Sequence, residues 1–180
     1  PLLRTTLDAA LQGRVAELAG QHGRRLAREG VHNLAVVVID HRDLQVRAYL
    51  GNVTHGDPLT YGAAVDIARR PRSTGSVLKP LLYGLMLDAG LILPDTLVAD
   101  LPTNYGGYSP ENFDREYRGA VPAHEALSRS LNIPAVRMLR GYGVARFQDQ
   151  LTAMGMSTLF RSADDYGLTL VLGGAEGSLF

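Results

Sequence analysis

Cysteine and tryptophan are absent from this 180-residue chain, and only one of its 18 basic residues is a lysine. The lack of cysteine excludes disulfide bonds and thiolate metal sites. The formal net charge is zero, without a basic or acidic block, so nucleic acid is not an expected partner. No apolar run approaches the roughly 20 residues that a membrane-spanning helix needs. The first residues also lack the layout of a signal peptide, so we expect any membrane link to come from a segment outside this chain.

Metal and phosphate sites are not predicted either. The five histidines show no ligand spacing, which argues against a metal and leaves no cofactor to propose. Gly173 and Gly174 resemble the start of a phosphate-binding loop, but the lysine and the Ser or Thr that should follow are missing.

Hydrophobic residues make up 46% of the chain, enough to bury one sizeable core.

The first part of the chain, residues 1–51, predicts a helix followed by a β-hairpin. Leucine and valine recur at helical spacing up to about Arg28, and Thr6 or Asp8 offers a cap. Two β-rich runs then follow, NLAVVVID and LQVRAYLG, joined by a short polar turn. The first run is almost wholly apolar, which predicts a strand covered on both faces. Residues 52–75 are punctuated by glycine and proline and predict a loop.

Residues 76–180 predict a mainly helical region. Pro80 is tolerated only in the first turn of a helix, so we expect that helix to begin near Ser76 and to end at Gly90. Three short helices are predicted further on, in PAHEALSRSL, IPAVRMLRGYG and VARFQDQLTAMG. An ordered loop rich in glycine, proline and aromatic residues precedes them. The fold class is therefore α/β (α+β), and two strands alone make no stable sheet, so further strands are expected elsewhere.

The lone lysine, Lys79, lies three residues after Ser76. A serine hydroxyl needs a neighbouring base to become a nucleophile. Arginine stays protonated, whereas a desolvated lysine can lose its proton. The four-residue pattern by itself also fits a capping serine beside a solvated lysine. Gly75 before it, Pro80 after it and the absence of any other lysine favour the nucleophile and base.

A second pair of polar residues, Ser130 and Asn132, lies in SRSLNIPAV at a helix junction, just before Pro134 starts another helix. Such a pair is often an ordinary helix cap. The functional interpretation places both side chains in a cleft opposite Ser76, with Ser130 relaying a proton to the leaving group and Asn132 holding a substrate amide. The order and separation of the two motifs favour the functional interpretation.

These motifs resemble the serine acyltransferases that comprise penicillin-binding proteins and serine β-lactamases. More specifically, the chain resembles the transpeptidase domain of class A, bifunctional penicillin-binding proteins, nearest the 1C subtype. The resemblance covers nearly the whole chain and is strongest in the following segments: RSTGSVLKPLLYGLMLDAGLI, YSPENFDREYRG, HEALSRSLNIPAVRML and LVLGGAEGSL.

The resemblance implies an antiparallel sheet with a helical subdomain, of which residues 1–180 are one part. The Lys-Thr-Gly motif of the family is expected on a later strand, because no lysine follows Lys79. The glycosyltransferase module and the membrane anchor of the family are expected before residue 1. With one oxyanion-hole donor on the later strand, the isolated chain is expected to be nearly inactive.

The resemblance also implies the chemistry. Ser76 is the nucleophile toward D-Ala-D-Ala stem peptides of peptidoglycan and toward β-lactams, with Lys79 as base and with Ser130 and Asn132 assisting. The location implied is the periplasmic side of the inner membrane. Two alternatives stay open: a β-lactamase, which needs a base to activate water, and a non-catalytic scaffold or β-lactam sensor. Independently of the resemblance, Glu111 and Asp114 could be read as an acid–base pair, but loop acids beside Pro and Asn usually serve turns.

Overall fold

The computed structural model, which describes residues 3–179, divides into two units, residues 3–71 with 178–179 and Arg72–Gly177. The first unit contains one helix and one hairpin, as predicted: α1 (Ala9–Ala27), β1 (Asn33–Asp40) and β2 (Gln45–Thr54). Asp8 caps α1, its carboxylate accepting from Leu11 N at 2.8 Å. The strands pair antiparallel, with Val37 opposite Tyr49.

Helix α1 is tied to the hairpin by its own glutamine. The side-chain amide of Gln12 donates to the Tyr49 carbonyl at 3.0 Å and accepts from the Tyr49 N–H at 2.8 Å. The prediction that β1 is covered on both faces is wrong for this unit. Its side chains are half-buried and Ile39 is exposed, because within residues 3–71 and 178–179 the α1 helix is the one helix that packs on the hairpin.

The second unit is mainly helical, and its elements follow in chain order: β3 (Arg72–Ser73), α2 (Lys79–Asp88), β4 (Leu97–Asp100), β5 (Gly119–Pro122), α3 (Ala123–Ser128), α4 (Asn132–Tyr142), α5 (Val144–Ala153), α6 (Ala163–Tyr166), a 3₁₀ helix (Gly167–Leu172) and β6 (Glu176–Gly177). The predicted α2 to α5 are confirmed. Strand β3 pairs antiparallel with β6, and β4 with β5; the sequence predicted neither ladder.

The core of this unit surrounds α4. That helix packs against α2, α3, α5, β4 and the 3₁₀ helix. Large, fully buried side chains in this core include Leu82, Leu139, Phe147 and Leu170. The packed core therefore fixes the N-terminal ends of α2 and α4 relative to each other, and the predicted site residues lie at those two ends. Among residues 3–179, no helix has both the length and the apolar character needed to cross a bilayer.

Candidate active site

Ser76 lies in a turn between β3 and α2 and is exposed to solvent. The helix begins at Lys79, three residues later than predicted. Pro80 is the physical reason. An α-helical bond to the Ser76 carbonyl would have to come from the N–H of residue 80, which proline lacks. The Ser76 carbonyl accepts from Lys79 N at 3.2 Å instead, which closes a tighter turn.

The turn that carries Ser76 lies against the glycines near the end of the unit. Ser73 Oγ donates to the Gly173 carbonyl at 2.8 Å, and Thr74 N donates to the Ala175 carbonyl at 3.1 Å. A Cβ atom on Gly173 would lie 2.5 Å from Ser73 Oγ and 2.9 Å from Gly75 Cα, closer than packed atoms approach. Gly173 therefore permits close packing against the turn that carries Ser76, whereas a Cβ atom on Gly174 would meet Thr169.

Lys79 is buried, with 3% of its surface exposed. Its Nζ donates to three acceptors at the junction of α3 and α4: Ser130 O at 2.6 Å, Asn132 Oδ1 at 2.7 Å and Ser130 Oγ at 3.1 Å. Within the described part of the chain, no hydrogen bond joins Nζ to Ser76 Oγ. Burial lowers the pKa of Lys79 from its ordinary 10.5 to about 8, and no charged side chain contributes to that shift.

Ser130 has a left-handed backbone, with φ at +53°. It follows the C-cap of α3 in a Schellman motif: Ser130 N donates to Leu127 O, and Leu131 N donates to Ala126 O, both at 2.9 Å. Ala126 and Leu131 also belong to one small apolar cluster, which completes the motif. This backbone geometry directs both the carbonyl and the hydroxyl of Ser130 to Lys79.

Two other helices of the same unit end in the same way. Helix α2 has Gly90 at the equivalent position, with φ at +66°, and α5 has Gly155, with φ at +100°. Glycine is the usual residue there because a side chain makes left-handed backbone unfavourable by about 1–2 kcal/mol. Ser130 therefore occupies a position that the other two helices give to glycine, and the sequence shows this as SRSL beside DAGL and AMGM.

Asn132 is the first residue of α4, two residues before the predicted start at Pro134. Pro134 still lies in the first turn, where its missing N–H costs no intrahelical bond. The Asn132 side chain bonds on both sides: Oδ1 accepts from Lys79, and Nδ2 donates to the Glu111 carbonyl at 2.8 Å. Thus the structure brings Lys79, Ser130 and Asn132 into one hydrogen-bonded cluster, with Ser76 one turn away.

Sequence reasoning missed two polar residues beside this cluster, Asn112 and Asp100, both buried. Asn112 Oδ1 accepts from Asn132 N at 2.9 Å, and its Nδ2 donates to Asp100 Oδ1 at 2.7 Å. Neither residue lies in a motif with a chemical signature. Asparagine is common in exposed loops, so the sequence contains no signal that Asn112 is buried.

Other residues of the loop between β4 and β5 have simpler roles. Tyr105 and Tyr108 pack against the core, whereas Phe113 is fully exposed beside Ser130, where both line a cavity of about 170 Å³. The side chain of Asp114 pairs with Arg118, which lowers the pKa of that carboxyl. The Glu111 carboxylate lies 3.9 Å from the Arg115 guanidinium, so the side chains of Glu111 and Asp114 pair with different arginines. The Glu111 backbone carbonyl accepts from Asn132.

Comparison with known proteins agrees with this geometry. Residues 34–174 match the family described as the penicillin binding protein transpeptidase domain. Penicillin-binding protein 1C of Escherichia coli is 44% identical over 177 residues, which are 98% of this chain and 23% of that protein. The chain therefore spans about a quarter of the length of this curated relative.

Solved structures of the penicillin-binding protein PonA1 from Mycobacterium tuberculosis share the fold. One superimposes with a TM-score of 0.74 at 26% identity, covering 98% of this chain and 46% of that one. A second, in complex with penicillin V, gives a TM-score of 0.74 at 27% identity and covers 98% and 48%. The predicted α+β class is confirmed, and the chain belongs to the penicillin-binding protein transpeptidase domain family.

Proposed function

We propose that this chain is part of a peptidoglycan D,D-transpeptidase domain whose nucleophile is Ser76 and whose general base is Lys79. The observation that carries the proposal is the burial of the Lys79 amine at the N-terminal end of α2, held by Ser130 and Asn132. A lysine with a pKa of about 8 has a neutral fraction near pH 7 that an exposed lysine lacks.

The hydrogen bonds around Lys79 support a specific order of proton transfers. A protonated amine has three N–H donors, and three acceptors surround it. The Ser130 carbonyl and Asn132 Oδ1 can only accept. The Ser130 hydroxyl can reverse its bond and donate to the lone pair of the neutral amine. Ser130 is thus the group that can pass a proton to or from Lys79.

The reaction then proceeds in two balanced halves. Ser76 Oγ attacks the carbonyl carbon of the penultimate D-Ala, and its proton passes to Lys79. The tetrahedral intermediate collapses, the peptide C–N bond breaks, and the departing D-Ala nitrogen takes a proton through Ser130. An amine of a second stem peptide then attacks the acyl-enzyme ester and loses a proton to Lys79. The bond between the acyl carbon and Ser76 Oγ breaks, and Lys79 returns the proton to Ser76 Oγ, which restores the hydroxyl and the neutral amine. The N–H of Ser76 serves as one oxyanion donor.

Asn132 retains a donor for substrate in this scheme. One of its two side-chain N–H groups is bonded to the Glu111 carbonyl, and the other is available to a substrate amide oxygen. The partners proposed are therefore peptidoglycan stem peptides and the β-lactams that imitate their D-Ala-D-Ala end. Because such substrates lie on the periplasmic side of the inner membrane, we expect the domain to act there.

Mass spectrometry of the full-length protein after penicillin treatment tests the proposal. A stable adduct on Ser76 is expected, and the S76A variant is expected to lose it. Ser128 is a matched control, because it is an exposed serine whose hydroxyl donates only to the Glu125 carbonyl within the described residues. S128A should keep the adduct. Rapid release of hydrolysed penicillin would identify a β-lactamase instead, and no adduct at all would favour a scaffold.

A further inference from the structure

Three polar or charged residues are buried within residues 3–179: Lys79, Asp100 and Asn112. Burial of a polar group is unfavourable unless every donor and acceptor finds a partner. Hydrogen bonds connect all three in a single chain, from Asp100 through Asn112 and Asn132 to Lys79. Lys79 has a place in the proposed chemistry, whereas Asp100 and Asn112 do not yet have one.

The orientation of the Asn112 side chain is fully determined by its partners. Its Oδ1 accepts from the N–H groups of Asn132, at 2.9 Å, and Ile133, at 3.3 Å. Its Nδ2 donates to Asp100 Oδ1 at 2.7 Å and to the Glu116 carbonyl at 2.9 Å. All four hydrogen-bonding positions of the amide are therefore used.

Asp100 determines which way that amide faces. Its Oδ2 accepts from Arg118 N at 3.1 Å, and the Arg118 guanidinium lies 3.8 Å away. Its Oδ1 therefore faces Asn112 as an acceptor and binds the NH2 side of the amide. The carbonyl side of Asn112 must then point toward the start of α4.

The start of α4 depends on this contact. The residue preceding the helix, Leu131, has no side-chain oxygen, so the first N–H groups of α4 have no local cap. Asn112 caps them from a different part of the chain. The first residue of that helix is Asn132, whose Oδ1 is 2.7 Å from the Lys79 amine. A small rotation of this turn would withdraw the Asn132 oxygen from Lys79.

We propose that Asn112, oriented by the buried carboxylate of Asp100, is a positioning residue that holds Asn132 and thereby the amine of Lys79 in the reactive arrangement. This inference rests on the proposed function, because it assigns the network to the acylation step. A purely structural cap would stabilise α4 and leave the chemistry of Lys79 unchanged, and the two roles differ in what acylation by penicillin should show.

A double-mutant cycle in the full-length protein separates the two roles. N112D keeps the carbonyl-like oxygen toward α4 but sets two carboxyl groups against each other. D100N removes the charge and one acceptor. The double swap N112D/D100N restores a donor and an acceptor at the contact, with the direction of the bond reversed. N112L removes every bond of the amide.

For N112D and N112L we expect penicillin acylation to fall by about 100-fold, as for a catalytic group displaced by about 1 Å. The acid limb of the pH–rate profile should move toward higher pH, because Lys79 is less completely enclosed. The double swap should recover at least tenfold of the loss in N112D. D100N, the mildest change, should lie between wild type and N112D.

S162A is the control for general destabilisation. It removes the capping box of α6, in the same unit and outside the network, and should leave the rate and its pH dependence at wild-type values. The inference is overturned if a folded variant at position 112 acylates at the wild-type rate with an unmoved acid limb, or if the double swap folds without recovery. Wild-type protein that forms no adduct would instead contradict the proposed function.

Discussion

The Lys79 amine nitrogen lies 2.6 Å from the backbone oxygen of Ser130, a residue held in left-handed backbone at the end of α3. This contact joins the N-terminal end of α2 to the junction of α3 and α4. It keeps a titratable amine away from water, in reach of acceptors that carry no charge. The pKa of about 8 follows from that enclosure.

The pH dependence of acylation should report Lys79. Below pH 8 the acylation rate is expected to fall about tenfold per pH unit, because the neutral amine becomes the minor form. Above pH 8 the rate should level off. Stopped-flow acylation by a chromogenic β-lactam measures this profile.

K79R is the informative substitution for that profile. Arginine keeps a cation at the position but does not lose its proton, so the acylation rate should fall by about 100-fold to 10,000-fold. The rate of the variant should also show no change in slope near pH 8. A K79R variant that keeps wild-type rates would show that charge alone suffices.

Lys79 should also make the stability of the domain depend on pH. The pKa is lowered in the folded protein, so between pH 8 and 10.5 the unfolded state keeps a proton that the folded state has lost. Stability attributable to Lys79 therefore rises with pH across this window, by about 3 kcal/mol in total, and the full penalty applies below pH 8.

The difference in unfolding free energy between wild type and K79M isolates this contribution. Burial raises the pKa of Tyr108, but that group titrates in both proteins and cancels in the difference. Urea unfolding at several pH values provides the measurement. A difference that stays constant from pH 7 to 11 would show that the folded protein does not depress the pKa of Lys79.

We expect Ser130 to lower the stability of the domain through its backbone strain and to be required for fast acylation by penicillin. S130G relieves the left-handed backbone, whereas S130A keeps the strain, so S130G should be the more stable of the two by about 1 kcal/mol. Both remove the hydroxyl, and both should lower penicillin acylation by about 100-fold. Thermal unfolding and acylation rates measured on the same samples, with S128A as reference, distinguish these effects. Equal stability of the two variants would contradict the strain.

We expect Gly173 to control the position of the turn that carries Ser76. G173A would force a Cβ against Gly75, and we expect acylation to fall by about 100-fold. Gly155 is a matched control, since its φ of +100° is close to the +102° of Gly173 and a Cβ added there would meet no atom within 4 Å. G155A should lose stability through backbone strain alone and keep its acylation rate. Equal rates for the two variants would rule out a steric role for Gly173.

Local signals in the sequence determined the helices and the hairpin. Helix α1 with its Asp8 cap, the antiparallel strands around the HRD turn, and the left-handed Gly90 just after α2 all follow from residues within a few positions of one another. The types and order of the candidate site residues were also readable, because Ser-x-x-Lys and Ser-x-Asn are short motifs. Comparison with relatives confirmed the family that those motifs indicated.

Only the tertiary structure decided what those side chains contact. Strands β3 and β6 pair two residues each across about 100 positions of sequence, too short and too distant for a periodic pattern to reveal. Burial of Lys79, and its bonds to Ser130 and Asn132, depend on two helix ends meeting in the core. The hydrogen bonds from Asp100 through Asn112 to Asn132 likewise depend on segments that only the fold brings together. Such hydrogen bonds form between groups that packing brings together, so the hydrophobic periodicity of the sequence does not predict them.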